Sequence, residues 1–401
     1  DEPGTPVKVV EPFQMLGEIK PDLGQALGVD IIPVGGSKNF FGFKNTGWKP
    51  WETFDGTPVL VPEKFNTEAD ASGDIYMYPQ GDKSVPPSAK MPEGGYYFDA
   101  LNRQQPLQED DLNPEDNLEE FGPISESELN YITETVDKIY ESTDKAILGS
   151  FADTSFGDIA KVPACQLKHP RGIRGVEEWY ISTVSRRDYI YKVFEKQCEI
   201  GINNLKKIYE KVGNKVSVIF VTGTDFGAQE GSFISKKTYR DLYKPFHKKV
   251  NNWVHQNTEW KTFIHSCGSV RNLLEEFIEA GFDIFNPVQC SAAAMEPESL
   301  KKELKGHIKE LPERQRIILA LYYYEESGLE FPVTNIFSPK IKKDFKAENF
   351  DLVHAHHPFW LGSKGRRLAE KFNLPLAFTY HTRLEKYAHY VPNILFMRKF
   401  F

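Results

Sequence analysis

The stretch "KTFIHSCGSV" (residues 261–270) sets a histidine and a cysteine two positions apart, directly behind an apolar run. Side chains two apart on an extended chain share a face, so His265 and Cys267 converge if the strand continues through them. An imidazole and a thiolate are both zinc ligands, and a catalytic zinc keeps a position open for substrate. A metal would also answer the weakness of a free thiol, which is mostly protonated at neutral pH although only the thiolate is nucleophilic. The same pair suits an ordinary strand end, with a packed thiol and a hydrogen-bonded imidazole.

Two further polar clusters follow apolar runs. "TGTDFGAQ" sets Asp225 and Gln229 behind "VSVIFV", and "NPVQC" sets Gln289 and Cys290 behind "FDIF". Asp225 could contact a substrate or cofactor, although an aspartate at a strand end also serves as a turn residue. Gln229 and Gln289 read as polar lining, with a turn at Asn286-Pro287. Asp153, Asp158 and His169 flank the end of "AILGSF" as weaker candidates. Cys165, in the loop "VPACQLKHP", and Cys198, on a helix face, read as structural.

Each cluster needs a strand to present it. "VDIIPVGG", "KAILGSF", "VSVIFVTG", "KTFIHS" and "FDIFNPVQ" read as buried strands. Helical patterns alternate with them. "SESE" at Ser125–Glu128 fits a capping box, followed by an apolar face of Leu129, Ile132, Val136 and Ile139. Residues 188–212 carry a stripe through Ile190, Phe194, Cys198, Ile202 and Leu205, ended by Gly213. Ser235 starts a helix in which Pro245 predicts a kink, and Gly281 closes "LLEEFIEAG". Strand–helix alternation with near-continuous apolar strands predicts an α/β fold with parallel pairing and helices outside. A (β/α)8 barrel places its site at the strand C-termini, where all three clusters fall. An open doubly wound sheet would present them similarly. Residues 1–120, rich in Gly, Pro and aromatics, read as loops and short strands. "QEDDLNPEDNLEEFGP" reads as a solvated acidic connector.

Composition narrows the function. A net charge of −8 argues against phosphate-backbone binding, so no nucleic-acid partner is expected. Four cysteines in 401 residues make no disulfide framework and suggest a reducing, cytoplasmic setting. No apolar run reaches membrane-spanning length, so no membrane partner is expected either. The chain opens at Asp1, as a fragment would.

"YMYPQGDKSVPPSAKMPEGGYYFDA", "FVTGTDFGAQEGSFISKKTYRDLYKPFHKKV" and "FIHSCGSVRNLLEEFIEAGFDIFNPVQCSAAAMEPESLKKELKG" resemble, in order, blocks of the uroporphyrinogen decarboxylase superfamily. The resemblance covers roughly residues 1–306 and implies a (β/α)8 barrel. The superfamily includes corrinoid-dependent methyltransferases that methylate thiols. The resemblance to that branch implies zinc held by a His-x-Cys pair and a distant cysteine, with a methylated corrinoid as methyl donor. "HSC" supplies the pair at His265 and Cys267. The implied partners are a corrinoid protein and a small-molecule thiol. The porphyrin decarboxylases lack this motif, and a tetrapyrrole substrate is the alternative.

After Gly306 the resemblance changes. The later region that carries the branch's third zinc cysteine has no counterpart. Residues 307–327, "HIKELPERQRIILALYYYEES", resemble the first helix of a sigma factor's promoter-binding region, without the recognition helix that would enter a major groove. An amphipathic packing helix with Leu311, Ile317, Ile318 and Leu321 inward is the plainer reading. Residues 328–401 resemble the N-terminal domain of a GT-B glycosyltransferase, without the donor-binding half. This implies a Rossmann-like fragment and no sugar transfer by this chain alone. There the histidines His354, His356, His357 and His381 match an acceptor-binding signature rather than a metal site. Three resemblances, each broken within a domain, read as pieces of three unrelated genes joined by fusion or by an assembly error. The expected barrel is therefore incomplete, with exposed strand edges, and a catalytically inactive fusion that only binds corrinoid or sugar weakly is a second alternative. Cys290, 23 residues beyond Cys267 and one strand later, is the candidate to replace the third zinc ligand.

Overall fold

The computed structural model describes residues 5–297, 299–300, 353–355, 361–372 and 376–378. The first hundred residues form β1 (Val7–Glu11), β2 (Leu16–Gly17), the short helix α1 (Pro21–Leu27), β3 (Ile31–Gly35), β4 (Lys49–Glu52), β5 (Pro58–Val61), β6 (Ile75–Met77), β7 (Ala89–Met91) and β8 (Asp99–Ala100). Two small sheets result, ordered β2-β1-β5-β4 and β6-β7-β8. Between them lies an aromatic core of Phe41, Phe43, Phe65 and Phe98 with Val61, Met77 and Met91. Phe98 meets Phe41 and Phe65 edge-on at 5.8 and 5.7 Å, the arrangement ring quadrupoles favour. Cys165 is buried in the same core, as its structural reading requires.

β3 belongs instead to the main sheet. The chain continues through α2 (Glu126–Ser142), β9 (Ala146–Ser150), α3 (Val176–Ser185), α4 (Arg187–Val212) and β10 (Val218–Thr222). Next come α5 (Lys236–Thr238), a π-helical turn (Tyr239–Tyr243), α6 (Lys244–Asn257), β11 (Lys261–His265), α7 (Leu274–Glu279) and β12 (Ile284–Asn286). The sheet order is β3-β9-β10-β11-β12, and every pairing is parallel. Each strand lies beside its predecessor in chain order, with none of the order reversal that defines a doubly wound sheet. β10 is almost wholly buried, consistent with cover on both faces. α4 buries the expected stripe of Ile190, Phe194, Cys198, Ile202 and Leu205, and Gly213 ends it at φ 56°. The main sheet holds five parallel strands, and the described residues contain no closed barrel.

Two local expectations are refined. Ser125 caps α2 by accepting the Glu128 amide at 3.2 Å. Glu128, however, does not return to the cap. Its carboxylate accepts from the Ser37 amide (2.6 Å) and hydroxyl (2.5 Å), tying α2 to the loop after β3. At Pro245 the helix takes a π turn, in which the Lys244 amide reaches the Tyr239 carbonyl. Proline has no N–H for the carbonyl four residues back, so the winding shifts in the turn before it.

By packing, the chain divides into residues 1–23 with 31–317, and residues 24–30 with 318–401. In the second unit β13 (Val353–Ala355), α8 (Leu361–Phe372) and β14 (Leu376–Phe378) form a parallel β-α-β unit, with His354 opposite Ala377. The helix expected at 307–327 lies outside the described residues, as do His356, His357 and His381. No helix among the described residues is long and apolar enough to cross a membrane.

Candidate metal centre

Adjacent parallel strands deliver their C-terminal residues to one place. Asp225 follows β10, His265 ends β11 and Cys267 follows it, and Asn286 ends β12. Among the described residues, Asp225, His265 and Cys267 form the one group of metal-capable side chains, with ligand atoms all within 4.8 Å of one another. Each is half-buried.

The loops after β10 and β11 are zipped together by three contacts. The Phe226 amide donates to the buried Ser266 hydroxyl at 2.9 Å. The Cys267 amide donates to Asp225 Oδ1 at 2.6 Å, and the Ser269 amide to the Ala228 carbonyl at 2.8 Å. Two glycines permit this approach. Gly268 has φ +82°, and a Cβ there would lie 2.3 Å from the Gly227 carbonyl oxygen. A Cβ on Gly227 would lie 2.8 Å from the Cys267 oxygen and the Ser269 nitrogen. Any side chain at either position would drive the carboxylate and the thiol apart.

Register fixes the imidazole. His265 pairs with Asn286 across β11 and β12, and His265 Nδ1 lies 2.9 Å from Asn286 Oδ1. An amide oxygen only accepts, so Nδ1 carries the proton and Nε2 presents its lone pair. That Nε2 lies 3.4 Å from Cys267 Sγ and 4.0 Å from Asp225 Oδ1. Metal-binding histidines are oriented in this way, by a hydrogen bond at the other ring nitrogen. Burial, then the nearby Asp225 charge, pushes the Cys267 thiol up to about 12. A cation among these atoms would reverse that penalty. Imidazole nitrogen, thiolate sulfur and carboxylate oxygen are all zinc donors, so the residues present fit the metal.

The other expected residues take separate places. Gln289 Oε1 accepts from the Gly268 amide at 2.8 Å, and its Nε2 donates to Gln229 Oε1 at 3.1 Å. Gln229 Nε2 donates to the Ser291 carbonyl. Both glutamines thus brace the loop that carries Cys267. The Cys290 thiol donates to the Val288 carbonyl at 3.3 Å, and Cys290 is not a member of the Asp225–His265–Cys267 group. Asp158, beyond β9, is buried, which pushes its carboxyl up to about 6. Asp153 is exposed, and its backbone carbonyl accepts from Gln197 at 3.1 Å. His169 lies in the loop beyond them.

Asn286 and Tyr180 also touch this cluster, and neither was singled out as a candidate from the sequence. Asn286 was legible only as half of a turn, and its role needs the β11–β12 register. The Tyr180 hydroxyl donates to the Asp225 carbonyl at 2.7 Å from a helix 45 residues earlier, a contact with no sequence signal.

The sequence model of the uroporphyrinogen decarboxylase family matches residues 98–310. That of glycosyltransferase family 4 matches residues 268–400, so the two overlap from 268 to 310. No curated protein matches the chain. Among solved structures, a methyltransferase from Methanosarcina mazei is similar at 15% identity and a TM-score of 0.30. That match covers 47% of this chain and 49% of that one, so the chain spans about half the length of that structure.

Proposed function

This chain belongs to the uroporphyrinogen decarboxylase family, and from that premise we propose that it transfers a methyl group from a methylated corrinoid to a thiol-type acceptor at a zinc centre. The observation that carries this reading is the convergence of His265 Nε2 with the Cys267 thiol and the Asp225 carboxylate at neighbouring strand ends. Decarboxylation of a tetrapyrrole calls for no such set of soft and nitrogen donors.

When bound, zinc would act as a Lewis acid that keeps an acceptor thiol deprotonated at neutral pH. The chain's own residues prepare the place. Asn286 holds the His265 ring through Nδ1, so that Nε2 is turned toward the metal position. Cys267 sits on a loop whose backbone is pinned by Asp225 and Gln289, which lowers the entropy lost on ligation. The transfer would form an S–C bond on the acceptor thiolate and break the donor's Co–C bond, whose electron pair would stay with the cobalt. The five parallel strands would be an arc of a (β/α)8 barrel, because their order follows the chain and the site lies at their C-termini. In this reading the enzyme is cytoplasmic, and residues 328–401, with their β-α-β unit, add no step to the reaction.

The test is to incubate the zinc-reconstituted chain with methylcobalamin and a panel of thiols, measuring thioether and demethylated cobalamin. A parallel assay follows carbon dioxide release from uroporphyrinogen. Zinc-dependent thioether formation that disappears in Cys267→Ser supports the reading. Metal-independent decarboxylation without methyl transfer overturns it.

A further inference from the structure

We propose that Asp225 is the third protein ligand of this metal centre, giving one imidazole, one thiolate and one carboxylate. The proposal rests on the metal reading of the same site and adds the identity of its third donor.

Distance supports the assignment. Zinc bonds of about 2.0–2.3 Å in a tetrahedral arrangement put ligand atoms about 3.4–3.6 Å apart. His265 Nε2 and Cys267 Sγ stand at 3.4 Å, and His265 Nε2 and Asp225 Oδ1 at 4.0 Å. Closing the second gap takes about half an ångström, within the reach of small χ adjustments. The placement of Asp225 is also built in. Its carboxylate takes the Cys267 amide hydrogen bond, and Gly227 against Gly268 gives its loop no other distance from the β11 loop. Charge closes as well, since one thiolate and one carboxylate balance a divalent ion as two thiolates would. The rival donor, Cys290, is turned to the carbonyl of Val288 in its own loop.

The experiment counts thiolates directly. The full chain is stripped of metal, loaded with cadmium-113 and examined by cadmium NMR, in which each added thiolate moves the signal downfield. Zinc affinity is measured in parallel by chelator competition. The assignment predicts a one-thiolate signal for the native chain, unchanged in Cys290→Ser. It predicts a second downfield step in Asp225→Cys. Asp225→Asn keeps the shape and the Cys267 amide contact but loses the charge, and should weaken zinc at least about 100-fold. A two-thiolate signal that falls to one in Cys290→Ser overturns the assignment and leaves the metal reading intact. Absence of stoichiometric zinc or cadmium in the native chain overturns both. Native zinc affinity in Asp225→Asn would also overturn the assignment, and Asp225→Glu, which keeps the charge on a longer arm, should bind zinc more tightly than Asp225→Asn.

Discussion

The same two residue types occupy opposite environments in this molecule. His265 and Cys267 sit half-buried at the end of β11, with a ring nitrogen and a sulfur facing a carboxylate. His247, Cys165 and Cys198 are fully buried. His247 is packed against Phe156, Phe226 and Phe282, and its Nδ1 meets the Tyr239 hydroxyl at 2.9 Å. Burial holds that imidazole down at about 3, and pushes the Cys165 and Cys198 thiols up to about 12 and 11. Residue type therefore does not mark the site. What distinguishes it is a strand end that stops short of full burial, where the second ring nitrogen faces a thiol and a carboxylate, whereas His247 Nε2 is buried with no hydrogen-bond partner.

The largest expected effect belongs to the buried set. An unfolded histidine binds its proton near pH 6.5, whereas folded His247 resists until about 3. The native state thus holds full stability above 6.5 and loses it as pH falls through that window. The loss approaches about 5 kcal/mol once both states are protonated. Denaturant midpoints at falling pH should show this slope in the native chain and a flatter one in His247→Gln. Equal slopes would mean that another group carries the acid response.

Next in size is Gly268→Ala. The forced φ and the clash with Gly227 should cost about 3 kcal/mol in urea unfolding, with loss of metal binding. A variant with native zinc affinity would show that the loops have slack the structure does not. Asn286→Leu should leave stability nearly intact but weaken zinc about 10- to 100-fold, since the His265 tautomer is no longer selected. The smallest effect should come from Cys198→Ala, with about 1 kcal/mol of stability lost and no change in zinc content. A change there would erase the contrast between the two sets.

Much of this was legible in the sequence, for physical reasons. Near-continuous apolar runs mark doubly covered strands, and the runs ending at Thr222, His265 and Asn286 became β10, β11 and β12. The α4 stripe and the stops at Gly213 and Gly281 followed from helical periodicity and from glycine's access to positive φ. His265 and Cys267 were legible as a pair because extended geometry needs only two residues. Long-range choices were not. The capping motif at Ser125 could not reveal that Glu128 would bind Ser37, 91 residues away. Gln229 and Gln289 read as lining, yet their amides are engaged in loop-to-loop bridges that depend on register. The Gly227–Gly268 contact, which sets the whole cluster, looks in sequence like two unrelated turns.

The central claim is a metal centre built on His265 and Cys267. It is tested most directly by zinc stoichiometry of the full chain after stripping and reconstitution, beside the double variant His265→Gln, Cys267→Ser. The account predicts about one tightly held zinc per chain in the native protein and none in the variant. Equal zinc in both, or none in either, would contradict it.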